Sequence, residues 1–152
     1  MSVAGPIEAP AAEAAPDLEM PRLVAAFEQG AVPQAEWTHR AHLLVGLWYA
    51  SRLPEAAALG AMRAGILRLN AAHGVPTTPT RGYHETITRA YLRVIARFVE
   101  EDEGLDGWGG RAERLLACCG EEDYLLRHYT RDRLLSSEAR FGWVEPDLRP
   151  LP

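Results

Sequence analysis

Two short segments of the chain carry side chains that could do chemistry. In the first, Trp37-Thr38-His39-Arg40-Ala41-His42-Leu43, two histidines stand three positions apart. On a helix that spacing puts both imidazoles on one face, where they can share a metal ion or one polar group of a substrate. Gly46 lies one turn beyond His42 on the same face, and its missing side chain leaves room for a ligand or for a neighbouring helix. The second segment is Arg81-Gly82-Tyr83-His84-Glu85-Thr86. Helical periodicity puts His84 at the edge of the apolar stripe formed by Tyr91, Ile95 and Phe98, and Glu85 farther round, on the outer flank.

His39 and His84 are each expected in the first turn of a helix, where the positive end of the dipole disfavours protonation. A neutral imidazole is the form that a metal ligand or a general base requires. If the two helices start near each other, His39, His42 and His84 converge. Three histidines around an open position suit a catalytic zinc site, or with a carboxylate an iron site. Glu85 would then be a fourth ligand or the base acting on bound water, with Tyr83 and Arg81 at the rim as substrate contacts. A divalent metal, zinc or iron, and hydrolysis by metal-activated water are the chemistry this set suggests. The chain lacks H-E-x-x-H, the motif that carries its own base.

A second reading needs no catalysis. The histidines can form a buried hydrogen-bond network that sets the crossing of two helices, while the helical surface binds a partner or a second copy. Under it Thr38-His39 is a capping sequence, and Glu85, three residues after Gly82, closes a capping-box-like start. His73, before Gly74, reads as a partner of a helix C-terminal dipole, and His128 as a surface or local-network residue. Thr77, Thr78, Thr80 and Arg81 could hold an anion at the start of the following helix. No Gly-rich loop supports a nucleotide. Trp37, Trp48, Tyr49, Tyr83 and Tyr91 are read first as core and second as a pocket lining.

The elements that must position these residues are helical. Residues 1–16 contain three prolines and no apolar periodicity, and read as a disordered tail. A first helix is expected from near Asp17 to Gln29, with Asp17 as its N-cap, Pro21 in its first turn and Leu23, Val24 and Phe27 buried. A second runs from near Thr38 to Arg52 and is apolar on most sides, which places it centrally. Pro54 opens a third, through about His73. A fourth, Tyr83 to Glu101, has the cleanest stripe. Shorter helices follow near Arg111–Cys119 and Glu121–Tyr129, with a further turn in Arg131–Leu135 or Ser137–Phe141. The end is extended, anchored by Trp143 and Leu148. The sum is an all-α, irregular bundle of five to six helices in one domain, 17–152.

Composition bounds the partners. A chain of 152 residues makes one domain with a core of its own. No apolar run is long enough to span a membrane, and the acidic, Ala/Pro-rich start lacks the features of a signal peptide. Net charge is −5, which gives no reason to expect nucleic acid. Cys118 and Cys119 are adjacent and read as small apolar residues in a reducing compartment. All sixteen basic residues are arginine, the mark of a GC-rich bacterial genome, and without lysine there is no Schiff-base chemistry. Glu100 to Glu103 is an acidic run expected to be solvated. A cytoplasmic protein with a small molecule or its own copy as partner is the expectation.

Trp37–Tyr49 (WTHRAHLLVGLWY), Asn70–Leu92 (NAAHGVPTTPTRGYHETITRAYL) and the end Phe141–Asp147 together resemble a family of small bacterial all-helical proteins. The resemblance spans most of the chain after the first segment. It implies a bacterial protein of one helical domain and carries no activity.

Overall fold

The structure, a computed structural model, describes residues 11–104 and 106–152, with side chains from residue 17 onward. Among these residues there are seven α-helices and no strand. The expected tail lies, through residue 10, outside the described residues.

The first helix, α1 (Ala11–Glu28), starts earlier than Asp17 and carries Pro21 in its interior rather than its first turn. An interior proline forfeits one backbone bond. Here the helix is held from outside, because Met20, Val24 and Phe27 are all buried against the other helices. Asp17 does not cap α1. Its carboxylate accepts the Gly109 N–H at 2.9 Å, in the first turn of α5 (Trp108–Cys119), whose own N-cap is Gly107.

The central helix is α2 (His39–Arg52), capped by Thr38, whose hydroxyl accepts the Ala41 N–H at 3.2 Å, and ended before Pro54. Leu43, Leu44, Val45 and Leu47 are buried in succession, so the helix is enclosed nearly all round. It packs against α1, α3 (Glu55–Ala72), α4 (Glu85–Glu101) and α5. Met62, Ile66 and Leu69 of α3 and Ala90, Val94 and Ile95 of α4 complete the core. At about 25 cal/mol per Å² of apolar surface removed from water, these side chains are the main stabilising term.

The second half is more broken than the spacing predicts. The segment expected as helix over 121–129 holds only a short 3-10 turn, Tyr124–Arg127. Both short segments that follow are helical, α6 (Arg131–Leu134) and α7 (Ser137–Phe141). The C-terminal stretch lies against α4, but its anchor is Val144, which is buried, and not Leu148, which is exposed. Thr86 Oγ1 donates to the Gly142 carbonyl at 2.6 Å and accepts the Val144 N–H at 3.1 Å. Trp143 rests under the guanidinium groups of Arg89 and Arg93. The acidic run is not wholly solvated: the Asp102 side chain is only 7% exposed and pairs with Arg111 and Arg114.

Candidate functional site

The capped start of α2 presents His39 and His42 one turn apart, as the spacing requires. Each is fixed differently. His42 Nδ1 lies 2.7 Å from the Thr38 carbonyl, and its ring packs tilted by 33° against Trp37 with centroids 3.9 Å apart. Trp37 in turn stacks on Phe27. A carbonyl can only accept, so Nδ1 carries the proton and Nε2 is left as an acceptor. Burial pushes the His42 pKa down to about 4, with the neighbouring His39 adding to the effect, despite an opposing push from the Thr38 carbonyl. His39 Nε2 is buried without a protein partner, and its ring meets Tyr91 edge-on at 5.3 Å.

Both imidazoles line one cavity of about 290 Å³ between α2, α3 and α4. Its other walls are almost all apolar, with Leu43, Met62, Ile66, Ile87, Leu92 and Ile95 the chief ones. Gly46 sits in this lining as well. A Cβ there would stand 2.8 Å from Ile95 Cδ1, so the glycine serves both the cavity and the close approach of α4. Thr88 and Tyr91 supply the remaining polar atoms, and sequence reading had not singled out Thr88. The only signal for it is its place one turn after His84 on the inner side of α4. Thr88 Oγ1 donates to the His84 carbonyl at 2.8 Å. The Tyr91 hydroxyl is buried without a partner, and burial raises its pKa well above the usual range, helped by Cys119 and Tyr124 beyond it.

The other residues expected here lie elsewhere. His84 is not in the cavity lining. It is the N-cap of α4: Nδ1 accepts the Ile87 N–H at 3.1 Å, and Nε2 donates to the Leu134 carbonyl at 2.8 Å. Both nitrogens are used, so the expected convergence of three histidines does not form. The cause is the packing of α4 beside the α6–α7 segment, which sets the Leu134 carbonyl against the ring. Among the described residues no group of three or more His, Cys, Asp or Glu side chains is placed to hold a metal ion. Glu85 is also outside the lining. It pairs with Arg63 and accepts from the Tyr83 hydroxyl at 2.6 Å. Burial alone would raise its carboxyl, but the bonds from Arg63 and Tyr83 outweigh that and hold it below the usual range. The capping-box expectation for Glu85 fails too, because Gly82 has φ +91° and stands before the true cap.

Tyr83 is buried and committed to Glu85, and Arg81 is exposed on a tight turn closed by the Thr78 N–H to Arg81 carbonyl bond at 2.8 Å. Neither touches the cavity. The turn is held from below by Arg140, which donates to the Pro79 and Gly82 carbonyls at 3.1 and 2.8 Å. His73 Nε2 bonds the Val32 carbonyl across to the loop after α1, at 2.8 Å. His128 is buried and holds the C-terminal segment through the Arg149 and Pro150 carbonyls. Of the five aromatic residues read as core or pocket, only Tyr91 lines the cavity.

The arrangement can bind and orient. A pKa of about 4 makes His42 a poor general base near neutral pH, where efficient proton transfer wants a value close to the working pH. An acceptor-only imidazole in an apolar cavity is suited to a hydrogen-bond donor or a metal ion. No family model, curated protein or solved structure matches the chain.

Proposed function

We propose that this is a small-molecule-binding protein whose cavity between α2, α3 and α4 takes a mostly apolar ligand, with His39 and His42 meeting the ligand's polar end. One observation carries the reading: two neighbouring imidazoles, their Nε2 atoms without protein partners, stand in a cavity of about 290 Å³ whose other walls are almost all apolar. Few convergent polar groups on apolar walls are what a small-molecule site looks like. Scaling from the ~150 Å³ cavity that holds benzene, this one holds about a dozen non-hydrogen atoms. The experiment is calorimetric titration with neutral bicyclic and alkylbenzene compounds of that size, on wild type and on Ile66→Trp, which fills the cavity. Binding lost in the filled variant supports the reading; wild type that binds none of them overturns it. We place the role in the bacterial cytoplasm; two free cysteines and an arginine-only basic composition support that reading.

A second reading, a zinc or iron ion held by Nε2 of His39 and His42 and used in hydrolysis, has its own support. A ligating imidazole usually gives its other N–H to a carbonyl or carboxylate, and His42 does so to Thr38. Water and substrate would have to complete the coordination, since His84 is spent on capping. Elemental mass spectrometry of the untagged protein and of His42→Ala decides it. Near-stoichiometric metal lost in the variant supports this reading, and no uptake by wild type from any of the ions tried rejects it.

A further inference from the structure

We infer that the ligand of this cavity is an uncharged molecule whose polar end donates a hydrogen bond, an alcohol or phenol rather than a carboxylate, phosphate or ammonium. This rests on the small-molecule reading above and adds to it the chemistry of the head group.

Charge is the first argument. The lining contains His39, His42, Thr88, Tyr91 and apolar residues, with no Arg, Asp or Glu. The nearby Arg63 and Glu85 are spent on each other and on Tyr83. A charged ligand would give up its hydration here and meet no counter-ion, which is unfavourable. An ammonium finds no carboxylate, and a carboxylate or phosphate finds no guanidinium.

Direction is the second argument. His42 has its proton on Nδ1, committed to the Thr38 carbonyl at 2.7 Å, so its Nε2 can only accept. Thr88 spends its hydroxyl proton on the His84 carbonyl at 2.8 Å, so towards any other group it too can only accept. The two polar atoms whose proton placement the surrounding carbonyls dictate therefore ask for a donor. A ketone or ether would set its lone pairs against theirs. His39, whose tautomer is not dictated, and the Tyr91 hydroxyl, buried without a partner, can each take either role, so a hydroxyl head group, which both donates and accepts, can meet all of them. Burial keeps the His42 ring uncharged at neutral pH, so it does not turn into a donor there.

The test is a matched set of probes that share one carbon frame: 1-indanol, 1-indanone and indane-1-carboxylate, titrated calorimetrically at pH 7.5. Indanol is expected to bind about tenfold tighter than indanone, as an unmade bond to a buried acceptor implies, and the carboxylate weakest of all. In His42→Leu the indanol preference should collapse to near parity while indanone affinity holds. Thr88→Val provides the same comparison if His42→Leu does not fold. Indanone or the carboxylate binding as tightly as indanol overturns the head-group inference and leaves the cavity a binding site. Binding of none of the three, nor of the unsubstituted parent indane, overturns the small-molecule reading and this inference with it.

Discussion

Replacing His84 by alanine should destabilise the protein without touching the cavity. In the folded chain His84 makes two bonds at once, receiving the Ile87 N–H at 3.1 Å and giving its own N–H to the Leu134 carbonyl at 2.8 Å. Loss of a side-chain N-cap costs about 1 kcal/mol. Leaving the Leu134 carbonyl unpaired in a buried place costs about 1–3 kcal/mol more. The sum, about 2–4 kcal/mol, would move a urea midpoint by ~1–2 M, taking a slope of about 2 kcal/mol per M. His84→Asn separates the two parts, because asparagine is a good N-cap but is too short for Leu134. It should recover about 1 kcal/mol of the loss. The assay is equilibrium urea unfolding followed by tryptophan fluorescence, with ligand or metal uptake measured on the same samples. A loss below about 0.5 kcal/mol in His84→Ala, or abolished uptake with stability intact, would refute the capping account and return His84 to the site.

Further predictions concern pH, Glu85 and two glycines of α3. Both His42 and His84 have pKa values lowered by burial, so below pH 6.5 the unfolded chain binds more protons than the folded one. Stability should be full above about pH 6.5 and fall as pH drops towards 4, His42 alone accounting for about 3 kcal/mol across that window. Urea melts at pH 7.5, 6 and 5 check this, and a flat series would contradict it. Glu85→Gln should cost about 1 kcal/mol through weakened bonds to Arg63 and Tyr83 and leave ligand affinity unchanged, whereas a base or metal ligand at Glu85 would make binding or turnover collapse. Gly65→Ala should cost about 1–3 kcal/mol, because its Cβ would stand 2.1 Å from Cζ of fully buried Phe27. Gly60→Ala, in the same helix with open space around its Cβ, should instead stabilise by about 0.5–1 kcal/mol. Thermal denaturation of the pair tests both signs together.

What the sequence by itself determined is what local physics governs. Backbone bonds in a helix span four residues, so a threonine before His39, a proline after Leu53 and a glycine at 74 mark ends of helices without reference to the rest of the chain. The same periodicity puts His39, His42 and Gly46 on one face, and the structure keeps them together in one cavity. Burial followed as well where a stripe was strong, as at Val24, Phe27, Ala90 and Ile95. Tertiary structure decided what each polar group meets. Asp17 accepts an N–H of the first turn of α5 rather than capping its own helix because α1 and α5 pack side by side, and nothing near position 17 encodes Gly109. His84 and Leu134 stand fifty positions apart, and their bond exists only because the chain after α5 folds back over the start of α4. A donor or acceptor has one or two partners to choose, and the choice depends on which backbone group arrives within about 3 Å. That arrival is a property of the packed bundle, so the sequence named the histidines and the packing sorted them into a cap and a cavity.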